Sequence, residues 1–176
     1  LDWLGPTPYL SINDSPFNIL YFDWFHLETF EDGLLNTPGV TSSVIPDTSP
    51  TSPRGVIGPL ATPTSMTDSV DADDGVIEGS GLAGHSFFNV PGVIEFSFDA
   101  AVLGQLPTHA GMVFTDGGNP VAFEAFDANG NSLGRISGND ADGSMFGETA
   151  EDRFYGAIYA GGISRIRMTA NSAISR

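Results

Sequence analysis

The chain has 176 residues, which suits one domain with a sizeable core, and a formal net charge of −16. Its six basic residues are all arginines scattered from Arg54 to Arg176, which excludes the clustered cations that nucleic acids and anionic membranes require. Cysteine is absent, which removes disulfides, thiol catalysis and Cys-type zinc sites, and no run approaches the roughly 18 apolar residues of a membrane span.

The chain opens with LDWLGPTPYLSINDSP, residues 1–16, with no Met and no charged leader region. This reads as an N-terminal extension of a processed or trimmed chain. It either folds back on its own domain or reaches outward to another subunit. Residues 17–176 read as a single β-sandwich domain.

Residues 17–30, FNILYFDWFHLETF, are the richest in aromatics and read as one long bent strand or two short ones. Trp24 within them is a candidate for stacking on a ligand ring. The segment runs into ETFEDG, residues 28–33. Many β-sandwich binding modules hold a structural calcium ion near the end of the first strand, and Glu28, Glu31 and Asp32 stand in that place. The plain alternative is a strand ending in a polar turn.

Residues 46–64 are dense in Pro, Ser and Thr and read as a long irregular surface loop covering a sheet face or an edge. VDADDGVIEGSG follows at 70–81. Hard cations take six to eight oxygens. Asp71, Asp73, Asp74 and Glu78 supply carboxylates at a spacing that a tight loop could converge, with glycines that let backbone carbonyls turn inward. The glycine offset is not that of an EF-hand, and a solvated acidic turn is the other reading.

The second half is more regular. In residues 93–98, Ile94, Phe96 and Phe98 share one face while Glu95 and Ser97 share the other, the period-two alternation of a half-buried strand. Met112 and Phe114 repeat it. Residues 121–127 run through Asn129-Gly130 into 132–136, a hairpin signal that predicts a type I′ turn. Asp140 and Asp142 form a short Asp-x-Asp-Gly fragment, a third calcium candidate, followed by Glu148, Glu151 and Asp152. Residues 154–158 give a further strand, and Tyr155 and Tyr159 join Trp24 as candidate ligand-binding rings. In 163–168, Ile166 and Met168 point in while Arg165 and Arg167 point out. About eight to ten strands joined by glycine turns predict an all-β chain: two stacked antiparallel sheets, a β-sandwich of jelly-roll-like form.

No catalytic constellation is legible. The histidines are His26, His85 and His109. There is no Gly-x-Ser-x-Gly elbow and no His-Glu-x-x-His helix motif. The adjacent His85 and Ser86 point to opposite faces of a strand.

VDADDGVIEGSGLAGHSFF, LPTHAGMVFTDGG, VAFEAFDANGNSLG and GETAEDRFYGAIYAGGISRIRM, in that order, resemble a family of exported bacterial proteins that often end in a PEP-CTERM tag read by exosortase. The resemblance spans roughly residues 26–169 and implies an extracellular or surface-attached β-sandwich with no firmly assigned activity. In such proteins an acidic, aromatic last strand precedes the tag. Residues 170–176, ANSAISR, do not provide one, so an open sheet edge is expected, filled by residues 1–16 or by a neighbouring subunit.

Together these readings predict a non-enzymatic extracellular calcium-binding module that binds polysaccharide or surface matrix. The alternatives are a structural subunit of a filament, sheath or surface layer assembled by strand addition through residues 1–16, and a polysaccharide-active enzyme.

Overall fold

The computed structural model describes residues 1–43, 54–59, 69–70, 84–89, 92–139, 151–170 and 174–175, with the backbone alone for 54–59 and 174–175. The predicted acidic segment 71–78 and the pair Asp140 and Asp142 lie outside the described residues.

The architecture is a sandwich of antiparallel strands. One layer has five strands in the order β2 (Val40–Ser42), β5 (Val93–Phe98), β11 (Arg165–Thr169), β8 (Val121–Phe126) and β9 (Ser132–Gly138). Facing it are two smaller sheets. The first runs β1 (Asp2–Pro8), β10 (Arg153–Ile158), β6 (His109–Phe114). The second runs β3 (Arg54–Pro59), β4 (His85–Asn89), β12 (Ile174–Ser175), β7 (Asp116–Gly117). Thr115 alone separates β6 from β7, so the chain passes directly from one small sheet into the other.

Both small sheets contribute to one core. Ala110, Phe114, Tyr155 and Ala157 come from the first, Phe87 from the second, and Ile94, Phe96, Val121, Phe123, Ala125, Ile166 and Met168 from the five-stranded layer. Ile94, Phe96, Ile166 and Met168 point inward as their alternation predicted. On the outer face of the same strands, Arg167 stands opposite both Glu95 and Glu124 in register. Its Nε donates to Glu95 at 2.8 Å, and Arg165 approaches the same carboxylate at 3.5 Å. Both guanidinium groups lie over the Phe126 ring, at 3.9 and 4.9 Å. Directly opposed charges of this kind stabilise a sheet face, and here they also consume both arginines.

Three sequence expectations change. The hairpin at Asn129-Gly130 forms between β8 and β9, but Gly130 alone takes a positive φ, +79°. Asp127 N–H donates to Asn131 O and Gly130 N–H to Asp127 O, so the connection is a turn closed by a left-handed glycine rather than type I′. Asp127 holds it, accepting from the Asn131 side chain at 3.1 Å and from the amides of Asn131 and Asn129 at 2.8 Å each, and these bonds, the Asn131 side chain foremost, keep its carboxyl below the usual range. Within the loop predicted at 46–64, residues Arg54–Pro59 are strand β3, paired with β4. Residues 17–30 form no strand.

Residues 1–16 fold back on the domain. β1 pairs with β10 as an edge strand, and its Trp3 packs edge-on to Phe123 at 6.2 Å. Pro6 and Pro8 have no N–H to offer a further strand, and the register shifts between Leu4 and Thr7. Of the two readings of residues 1–16, folding back on the domain is the one seen, with β1 already part of its own sheet.

The first small sheet also has an apolar outer face. Phe154 lies across Gly111 and Gly156, which are cross-strand partners. A Cβ on Gly156 would stand 2.7 Å from the Phe154 ring and one on Gly111 would stand 2.4 Å from it. The two glycines make a flat seat for one ring. Gly156→Ala is expected to lift Phe154 and lower stability by about 2 kcal/mol, within the range for overpacking. For a chain of this size that is a fall in Tm of roughly 4–8 °C, read by thermal unfolding.

Candidate aromatic binding surface

On the seated Phe154 ring a second aromatic cluster is built. Tyr9 stacks on it with centroids 6.2 Å apart, and Phe17 meets it edge-on at 5.3 Å. Tyr9, Phe17 and Phe154 are all buried, with Leu4, Phe22, Val113 and Ile158 against them. The approach of the chain to this cluster is set by a short turn. Ser11 caps the 3-10 turn Ile12–Asp14, and the Asp14 carboxylate accepts from the amides of Leu10 and Ser11 at 2.9 and 3.2 Å. The Ser15 hydroxyl then accepts from Phe17 N–H at 3.2 Å and sets the ring inward.

From Phe17 the rings lead outward. Phe22 lies edge-on to Phe17 at 6.1 Å, and Phe25 stacks on Phe22 at 5.7 Å. The half-buried His109 at the start of β6 braces both inner rings, 5.7 Å from Phe17 and 5.0 Å from Phe22. Beyond this anchor the segment is exposed. Tyr21 is fully exposed, Trp24 is 54% exposed and Phe25 is 48% exposed. Ile19, Leu20, Leu27 and Leu34 are exposed as well. Trp24 stacks on His26, with 19° between ring planes. Large apolar groups exposed together in one short segment make it the candidate binding surface among the described residues.

Of the three rings predicted to touch a ligand, Trp24 is exposed and Tyr155 is not. Tyr155 is 0% exposed, faces the main core and packs 6.5 Å from Phe123. It sits on the inward parity of β10, next to the outward Phe154, and strand alternation decides between them. Tyr159 is half-buried against the core, with its ring over Gly161.

The acidic loop after the aromatic segment is brought together, but its carboxylates are aimed at protein donors. Glu28 Oε2 accepts from the amides of Asn36 and Thr37, both at 3.1 Å, and from the Thr37 hydroxyl at 2.9 Å, while Oε1 accepts from Phe30 N–H at 3.1 Å. Asp32 accepts from Leu34 N–H and from the Asn36 side chain. Glu31 accepts from His85 N–H at 2.9 Å and faces its Nδ1 at 3.3 Å, which ties the loop to β4. These carboxylates hold Phe30, at φ +62°, in the left-handed region, and its ring enters the core against Phe87 and Phe96. Among the described residues, no group of three acidic or histidine side chains is arranged to hold a metal ion.

A different acidic group lies inside the sandwich. Asp116, Glu151 and Asp152 are each 1% exposed, and Glu151 accepts from Gly117 N–H at 3.2 Å. Asp116 was not singled out by sequence. The one available signal was a carboxylate set directly after the apolar run of β6.

Comparison with family models, with curated proteins and with solved structures finds no match.

His109 makes the aromatic anchor sensitive to pH. Burial holds its imidazole below the ordinary value of 6.5, and the Thr108 hydroxyl lies 2.8 Å from its Nδ1. A depressed pKa means that the fold favours the neutral ring. The associated stability is present above pH 6.5 and is lost as pH falls through the lowered folded value. Unfolding free energy measured in urea between pH 7.5 and 5 should therefore fall more steeply for the native chain than for His109→Gln. Trp24 fluorescence should report loosening of the segment over the same window.

Proposed function

We propose that the chain is a non-enzymatic extracellular β-sandwich module that binds polysaccharide or surface matrix through the exposed aromatic segment 19–27. The observation that carries this reading is the division of labour in that segment. Phe17 and Phe22 fix it to the sandwich, while Tyr21, Trp24 and Phe25 remain exposed. Exposed rings displayed from a segment anchored at Phe17 and Phe22 suit stacking on the apolar faces of sugar rings, because the anchored part needs no further ordering on binding. The resemblance to exported, exosortase-sorted proteins supports the extracellular placement.

Calcium enters the proposal through charge. A formal charge of −16 attracts divalent cations, and the carboxylates of 71–78 and 140–142 have the ligand chemistry. The loop acids Glu28, Glu31 and Asp32 are engaged by protein donors, so a cation there would displace hydrogen bonds that hold Phe30.

Two measurements test the reading. In affinity electrophoresis against insoluble and soluble polysaccharides, retardation by at least one neutral glycan is expected. Trp24→Ala should weaken it about ten-fold or more with Tm changed by no more than about 1–2 °C, since an exposed ring contributes little to folding. Retardation by no glycan, or the same retardation in the variant, overturns the binding role. Thermal unfolding with calcium and with chelator at matched ionic strength should show a higher Tm with calcium. Superimposed curves remove calcium from the reading.

A further inference from the structure

The charges around the exposed rings narrow the ligand. Resting on the polysaccharide-binding reading, we infer that the surface of Tyr21, Asp23, Trp24 and Phe25 selects glycans bearing free amines, of the hexosamine type, over neutral and uronate-bearing chains.

Three observations converge. First, Asp23 is exposed in the middle of the aromatic run, between the anchoring Phe22 and the exposed Trp24. It belongs to the same exposed stretch as Tyr21, Trp24 and Phe25, so a ligand lying along those rings passes a carboxylate. Second, no Lys or Arg precedes Arg54 in the sequence and His26 is the one histidine that does, whereas Asp2, Asp14, Asp23, Glu28, Glu31 and Asp32 all precede it. Third, the described arginines on the strands are directed elsewhere, Arg135 standing opposite Glu124 in the register of β9 on β8. Arg165 and Arg167 are held by Glu95 on the five-stranded layer. Arg153 lies on the inward parity of β10, opposite to Phe154, and donates to Asp152 O at 2.8 Å. A uronate or sulfate ester at the rings would meet the carboxylate of Asp23 on a chain of net charge −16, with the His26 ring on Trp24 as the one neighbouring base among the described contacts.

An ammonium group meets the reverse. It gains from the carboxylate of Asp23 and from the ring faces of Trp24 and Tyr21, which attract cations by their quadrupoles. The same charge argues against a second copy of this chain as the occupant, since two surfaces each with net −16 repel.

The test uses the full chain and short oligomers, so that a polycation does not simply coat an acidic protein. Hexameric glucosamine, its fully N-acetylated form, hexameric galacturonate and hexalysine are titrated while Trp24 fluorescence is followed. The amine form should bind about five- to ten-fold tighter than the acetylated form at low salt, the worth of one exposed ion pair plus one cation–π contact. Asp23→Asn should cut that preference by about two- to five-fold, the share of the ion pair, and leave the acetylated form unaffected, although it removes only one of 22 acidic groups. Trp24→Ala should weaken both. Equal binding of the two hexosamine forms with no effect of Asp23→Asn overturns the inference and leaves the polysaccharide reading standing. Hexalysine binding as tightly as the amine glycan, with the same dependence on Asp23, reduces the surface to a plain cation patch and also overturns it. If no glycan binds in a Trp24-dependent way, both readings fail together.

Discussion

Everything that makes the outer surface of this sandwich depends on one ring having a flat place to lie. Phe154 points away from the main core, on the face of the sheet that would ordinarily be solvated. Gly111 and Gly156 remove the side chains that would lift it, and Tyr9 and Phe17 close over it. Burying a Phe side chain is worth about 1.5–3 kcal/mol, and here that gain is spread through a chain of contacts from sheet to surface. Phe17 holds Phe22, Phe22 holds Phe25, and the exposed rings are displayed from there. A sheet with both faces apolar needs two covers. The five-stranded layer is one, and residues 9–22 are the other.

This explains which parts of the chain were legible in its sequence. The strands of the second half announce themselves because each has one wet face. Ile94 and Phe96 alternate with Glu95, and Ile166 and Met168 with Arg165 and Arg167, so period two survives. Residues 17–30 defeat the same logic. Their aromatics serve three destinations: Phe17 and Phe22 go to the outer cluster, Phe30 to the main core, and Trp24 to solvent. High strand propensity measures fit to a pleated, half-buried surface, and this segment covers such a surface instead of joining it. Tyr155 was misplaced for a related reason. Adjacent aromatics Phe154 and Tyr155 carry no mark of which faces inward until the register of β10 on β6 is known. β3 was hidden inside a Pro/Ser/Thr-rich stretch, where its short apolar core at Val56-Ile57 was outweighed by its flanks.

The topology has a cost in folding speed. Among the described residues the chain changes layer at most of its connections, and the consecutive strands that pair directly are β3–β4 and β8–β9. β1 closes against β10, with nearly the whole chain between them. Contacts so distant in sequence form late, because loop closure precedes any gain from them. The aromatic segment is built on β10, and its anchor is complete only after the ends of the chain have met.

The charge of the chain and its exposed rings belong to one argument. A surface that presents Ile19, Tyr21, Trp24 and Phe25 to water is an invitation to self-association. A net charge of −16 opposes that encounter at every orientation. The acidic groups do not all serve that purpose, however. Glu28, Glu31 and Asp32 are spent on backbone amides and on His85, and Glu95 and Glu124 on Arg167. What remains outward beside the rings is Asp23, which lowers the affinity of the surface for itself and for any polyanion while leaving the ring faces open. Repulsion of the wrong partners is half of specificity, and on this surface one carboxylate among the aromatics supplies it.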